Sequence, residues 1–252
     1  MLIASALFAT GAQARSQLIL PYPADSGLIS AGTYDMTGSR LGAAQFEIDT
    51  FEDGRVKMTM VTGIDDGASN HASIVLEPLD RQRGLRAIEQ RSESYDATGK
   101  SLGVLHVDHE KGIGRCIPAD PEEPAESMTL PEEEKIANVA LNLLFSPMAL
   151  GQSDSMDFQI FLCNGGPRLI AFSAAKVPRV DADPTARIVE IRYEPNLGPA
   201  LQWLAASWLP QFSFWLDGDG NYLAHRISLY TQGPEVLVVR DGISPKTLTP
   251  SH

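Results

Sequence analysis

Apolar and polar residues alternate with a period of two over long stretches of this chain. Ala44, Phe46 and Ile48 are interleaved with Gln45, Glu47 and Asp49. Beyond Glu52-Asp53-Gly54, Val56, Met58 and Met60 alternate with Arg55, Lys57 and Thr59. Alternation on both sides of an Asp-Gly turn predicts a β-hairpin with one packed face and one wet face, as antiparallel sheets allow. The same reading predicts strands at 71–77, 85–91 and 102–108, separated by Pro78, Gly84 and Asp96-Ala97-Thr98-Gly99. From Ala31 to about Cys116 the chain is therefore expected to be a β meander.

Residues 118–130 are rich in Pro and Glu and read as an exposed connector. The period then changes. Ile136, Val139, Ala140, Leu143 and Leu144 fall at i, i+3, i+4, i+7 and i+8, the stripe of an amphipathic helix. Pro131 suits the first helical position, Glu132, Glu133 and Glu134 complement its dipole, and Pro147 is expected to end it. This predicts a helix over 131–145. Strands are expected near 156–163, 168–174 and 187–193. Leu201, Leu204, Ala205 and Trp208 have helical spacing behind Gly198-Pro199 and predict a second short helix. A closing hairpin, 212–216 and 222–230 around Asp217-Gly218-Asp219-Gly220, precedes a strand at 236–240. No internal repeat or sharp change of composition divides the chain. The expected fold is mainly β: one strongly curved antiparallel sheet packed on one or two α-helices, in a single domain over 15–252.

The first residues carry a different signal. Leu2 to Gly11 is an uncharged apolar run followed by Ala12-Gln13-Ala14, the apolar core and small-residue cleavage pattern of a signal peptide over 1–14. The run is too short to span a bilayer, and no Lys or Arg precedes it. A buried N-terminal helix is the alternative reading. An exported protein in the periplasm is the expectation. The chain has 252 residues, a net charge of −12 and 43% hydrophobic residues, enough for a core. The acidic balance argues against nucleic acid and against anionic lipid surfaces, both of which need clustered Lys and Arg. Two cysteines in an oxidising compartment predict one disulfide, Cys116 to Cys163; two separate buried thiols are the alternative. With no CxxC motif and no histidines close to them, a zinc site is not expected.

Candidate chemistry is sparse. His106, Asp108, His109 and Glu110 form the densest set of metal-ligand types, but on a strand His106 and Asp108 share one face and His109 takes the other. Asp217, Asp219 and Asn221 open like a calcium loop, yet Tyr222 and Ser228 occupy the positions that need Gly and Glu. His225 is expected on an apolar face with Leu223, Ile227 and Leu229, as a core histidine or a general base. Gly112-Ile113-Gly114 lacks the rest of a phosphate loop, and no cofactor is expected. Trp203, Trp208, Phe212, Phe214 and Trp215 crowd into thirteen positions. They suit either an apolar ligand or an ordinary core beneath a helix.

The run Phe214-Trp215-Leu216-Asp217 to His225-Arg226-Ile227 followed by Tyr230 resembles the end of an uncharacterised periplasmic family. Gly32-Thr33-Tyr34, the Glu52-Asp53-Gly54 hairpin and the Tyr95-to-Gly99 turn echo its early half. That family has a half-barrel fold like the lipoprotein carriers of the bacterial envelope. The resemblance implies a curved sheet wrapped around a helix, with a groove able to hold an acyl chain, and it supplies no catalytic residues. The expected function is binding of a hydrophobic or amphiphilic envelope ligand between sheet and helix. Trp203, Trp208, Phe212, Phe214, Trp215, Leu143 and Leu144 are its expected contacts. An exported hydrolase or lyase using His225 or the His106/Asp108 pair, and an envelope assembly partner, are the alternatives.

Overall fold

In the computed structural model the described residues are 18–80, 84–178, 187–196, 212–230 and 232–248. The expected signal peptide and the expected second helix, with Trp203 and Trp208, lie outside them. The alternating first half forms β1 (Ile19–Leu20), β2 (Gly27–Tyr34), β3 (Arg40–Thr50), β4 (Val56–Gly63), β5 (Ser69–Asp80), β6 (Gly84–Tyr95), β7 (Ser101–Asp108), β8 (Ile113–Ile117) and β9 (Glu126–Thr129). One helix, α1 (Leu141–Ala149), separates these from β10 (Ser155–Leu162), β11 (Arg168–Val177), β12 (Val189–Pro195), β13 (Phe212–Leu216), β14 (Tyr222–Ser228) and β15 (Glu235–Arg240).

All the strand pairs are antiparallel. The order is β10-β11-β12-β13-β14-β15-β2-β3-β4-β5-β6-β7-β8-β9, with β1 beside the first half of β6. The two halves of the chain meet where β15 pairs with β2, Val238 opposite Thr33. Asp-Gly hairpins hold this order. In the Asp35 turn one carboxylate oxygen accepts from the Thr37 and Ser39 amides, both at 2.8 Å. Asp96 repeats this with Thr98 and Lys100, and Asp217 with Asp219 and Asn221. Gly99 and Gly220 complete their turns at φ 76° and 85°, which a side chain strongly disfavours.

The sheet curls without closing edge to edge; β9 and β10 are its two free ends. Instead it overlaps itself. On β10, Phe158 and Phe161 are three residues apart and so face opposite ways. Phe158 enters the main core with Phe172, Tyr193 and Phe214, while Phe161 packs with Val107, Cys116, Leu130 and Ile136. The inner face of β7 and β8 thus lies over the outer face of β10. Gly114 makes the overlap possible, because a Cβ there would lie 2.6 Å from the Phe161 ring. The Cys116–Cys163 disulfide forms as expected and joins β8 to the end of β10 across this seam.

Two readings of the sequence change. The helix covers Leu141–Ala149 rather than 131–145, and Pro147 lies within it. Residues 135–138 are drawn out along β10: Gln159 donates to the Lys135 carbonyl at 2.8 Å, and Ala137 donates to Gln159 at 2.9 Å. Ala140, at φ 58°, then breaks the direction so that α1 can start. The helical stripe was real apolar spacing, but the backbone of its first half is consumed by sheet contacts. The connector 118–130 is likewise not all loop, since its last residues form β9, the edge strand.

Candidate functional site

Cross-strand pairing fixes which side chains face into the curl. One row runs Ile29, Phe46, Met60, Ala72, Ser92 and Leu105; the next, nearer the strand ends, runs Ala31, Ala44, Thr62, Asn70 and Ser94. At the opposite end α1 fills the interior. Leu141, Leu143, Leu144, Phe145 and Met148 are all buried there. Phe145 lies 5.5–5.7 Å from the rings of Phe158, Tyr193 and Phe214. Such ring pairs each contribute about 0.5–1.5 kcal/mol beyond area burial. Toward the Asp35 turn a second buried cluster, Ala31, Ala44, Ala68, Leu229, Val236 and Val238, packs on the β15 to β5 side. Phe46, Met60, Ile160, Ile170 and Phe212 lie against the main core but are only partly buried. These five side chains form an apolar wall that keeps accessible surface, as Ala149, Met156 and Val189 do at the α1 end.

Among the buried polar side chains, His225 and Gln90 centre hydrogen-bond networks in the interior. His225 is 2% exposed, stacked on Phe214 at 5.1 Å and edge-on to Phe46. Its Nδ1 is 2.8 Å from the Tyr222 hydroxyl, which donates to the Val238 carbonyl at 3.1 Å. A hydroxyl has one proton, so with that proton on Val238 the ring donates from Nδ1 and Nε2 is unprotonated. Burial pushes the ring down to about 3, leaving it neutral and a poor base. Tyr222 shares the main core with Phe214, whereas Leu223 faces the other side with Trp215. The expected partition of β14 is thus corrected: the register shift at Trp215/Leu216 exchanges Tyr222 and Leu223.

Gln90 is the second. It is fully buried, and its amide nitrogen donates to the Ile136 carbonyl at 2.8 Å and to His109 Nε2 at 2.7 Å. Its oxygen accepts from the Asn138 and Val139 amides at 2.7 and 2.9 Å. Those two acceptances fix the orientation of the amide, so His109 Nε2 is the acceptor and carries no proton. Burial pushes His109 down to about 4. Gln90 thus ties the 136–139 segment to β6, while Asn138 ties it to the Phe161 backbone of β10.

Sequence reasoning missed Gln90. In β6, Leu85 and Ala87 are buried, and a register shift opposite Val75/Leu76 changes the parity so that Gln90, Ser92 and Ser94 turn inward. Strict alternation cannot reveal such a step. A polar residue between apolar strands was the available signal.

Of the expected contacts, Phe212, Phe214, Leu143 and Leu144 come together in the main core. Trp215 lies on the other face of the sheet with Leu223, Leu237, Val239 and Leu248. His106 pairs with Glu89 at 3.0 Å and Asp108 with Lys111 at 2.8 Å, while His109 points inward. Among the described residues no group of three His, Cys, Asp or Glu is placed to hold a metal. Asp217 spends its carboxylate on its own turn, including Asn221 Nδ2 at 2.8 Å.

No family model and no curated protein matches the chain. Among solved structures it matches a β-barrel-like protein of the domain of unknown function DUF1849 from Brucella abortus. That match has 11% identity and a TM-score of 0.34, and covers 89% of this chain and 97% of the other.

Proposed function

We propose that this chain is an exported envelope protein that holds the apolar part of an amphiphile inside its curled sheet. The observation that carries the reading is the accessible apolar wall of Phe46, Met60, Ile160, Ile170 and Phe212. Side chains that pack on a core yet keep surface toward an interior offer burial at about 25 cal/mol per Å² to whatever enters. The helix packs tightly on β12 and β13, so a chain lying between sheet and helix would have to displace Phe145 and Leu144. The accessible wall asks for no such displacement, and Phe212 and Phe214 remain among its proposed contacts. Trp203 and Trp208 stay in the proposed contact set on the strength of their sequence position. Export is supported by the apolar run and Ala12-Gln13-Ala14, and by a disulfide of the kind that persists in oxidising compartments. Among the described residues no helix is long and apolar enough to cross a membrane.

The test uses N-phenyl-1-naphthylamine, an uncharged apolar fluorophore, with the purified protein. The expected result is saturable enhancement that Met60→Glu and Ile170→Glu reduce at least tenfold in affinity. Native mass spectra after mild extraction should also carry a bound amphiphile. No saturable binding and no copurified lipid would remove the reading.

A further inference from the structure

Beside the apolar wall the inward rows mix small apolar residues, Ala31 and Ala44, with polar side chains that carry no charge. Thr62, Asn70 and Ser94 face inward as direct cross-strand neighbours, with Ser92 one row away and Thr33 on the far side of β3. Asn70 Nδ2 donates to the Ser92 and Ser94 hydroxyl oxygens, both at 2.9 Å. A serine oxygen that accepts in this way still has its own proton to give, and the Asn70 carbonyl oxygen still has lone pairs to receive.

The two threonines sharpen the point. Thr33 is 0% exposed and Thr62 is 3% exposed, and neither hydroxyl has a hydrogen-bond partner. They flank β3 from its two sides, opposite Gly42 and Ala44, positions that carry almost no side chain. Burying a hydroxyl without a partner is unfavourable, and valine has the same shape without the cost. Unsatisfied donors held inside a protein point to a group that satisfies them when it binds.

The charge pattern selects that group. The inward positions of β2 to β7 at this end, described residues all, are Thr, Asn, Ser and apolar; none is a cation that could neutralise a carboxylate or phosphate. The turns at the same end carry Asp35, Asp65, Asp66 and Asp96 against Arg40 and Lys100. Hydrogen bonds from Thr37 and Thr98 hold Asp35 and Asp96 below the usual carboxylate range, so both are ionised at neutral pH. An anionic head would meet like charge on approach and find no counter-ion among the inward residues of β2 to β7.

We infer that the ligand is an uncharged amphiphile with a hydroxyl-bearing head, an acylglycerol or a glycosylated alkyl chain, whose head is hydrogen-bonded by Thr33, Thr62, Asn70, Ser92 and Ser94. This rests on the reading of the apolar wall given above. It differs from a carrier of fatty-acid anions or phospholipids.

The experiment is calorimetric titration of the full chain with dodecyl maltoside, dodecanoate and dodecyltrimethylammonium, each below its micellar concentration. The maltoside should bind at 1:1, at least tenfold more tightly than dodecanoate. Thr62→Val and Ser94→Ala should each weaken the maltoside about fivefold, the worth of one hydrogen bond, and leave dodecanoate unchanged. Thr62→Val should at the same time raise the thermal midpoint of the empty protein, which rules out misfolding as the cause. If dodecanoate or the ammonium amphiphile binds as tightly as the maltoside, or the two variants leave maltoside binding unchanged, the head-group assignment falls while the apolar wall stands. If none of the three binds and the naphthylamine does not bind either, both fall.

Discussion

Replacing Gln90 by Leu keeps the volume of the side chain roughly constant and removes four hydrogen bonds at once. The Ile136 carbonyl, the Asn138 and Val139 amides and His109 Nε2 all lose their partner. Each bond is worth about 1 kcal/mol net, and a buried group left without a partner costs about 1–3 kcal/mol. Gln90 is fully buried, so water cannot replace it without opening the seam. The expected loss is therefore about 4 kcal/mol at least, a large share of the 5–15 kcal/mol that typically separates folded from unfolded chains. Urea unfolding followed by circular dichroism, with the disulfide intact, reads it directly. With a slope near 2 kcal/mol per M, the midpoint should fall by about 2 M. Gln45→Leu, a change on the exposed face of β3, is the matched control and should move stability by no more than about 0.5 kcal/mol. A loss below about 1 kcal/mol for Gln90→Leu would refute the argument that this amide pins the 136–139 segment.

Other outcomes follow from the same contacts. Cys116→Ser with Cys163→Ser should cost about 4 kcal/mol, the chain-entropy value for a loop of this length, read as a urea midpoint against the oxidised wild type. Stability should be flat above pH 6.5 and fall below it. The unfolded chain protonates His109 and His225 near 6.5, whereas the fold resists protonation until about 4 and about 3. Each histidine should therefore withdraw about 3 kcal/mol by pH 4, and His225→Leu should flatten the slope of urea midpoint against pH. Phe145→Ala should cost about 3–5 kcal/mol in thermal or urea unfolding, because its ring touches three others and the sheet cannot collapse onto the void.

The strands were legible because the period of two survives wherever one sheet face is wet. Ala44 to Met60 reads directly as β3 and β4, and every Asp-Gly turn named from the chain is a hairpin in the fold. The helix boundary was not legible. Ile136 and Val139 have helical spacing, but the Ile136 carbonyl and the Val139 amide are both taken by Gln90, 46 and 49 positions away. Leu223 and Tyr222 were assigned to the wrong faces for a related reason, since one bulge reverses the parity of everything beyond it. The inward polar row of Thr62, Asn70 and Ser94 was invisible too, because wet-face residues and interior polar residues have the same composition.

The amino-acid sequence by itself determined the antiparallel meander, its turns, the disulfide partners and the apolar segment that becomes α1. Each of these depends on residues close together or on a choice with few alternatives. Only the tertiary structure decided that the sheet overlaps itself rather than closing, with Gly114 beneath Phe161 and Gln90 in the seam. It alone put Tyr222 inside and Leu223 outside, and left two threonine hydroxyls unpaired inside. Those outcomes turn on which strand lies over which and on the parity set by single bulges, and no local pattern encodes either.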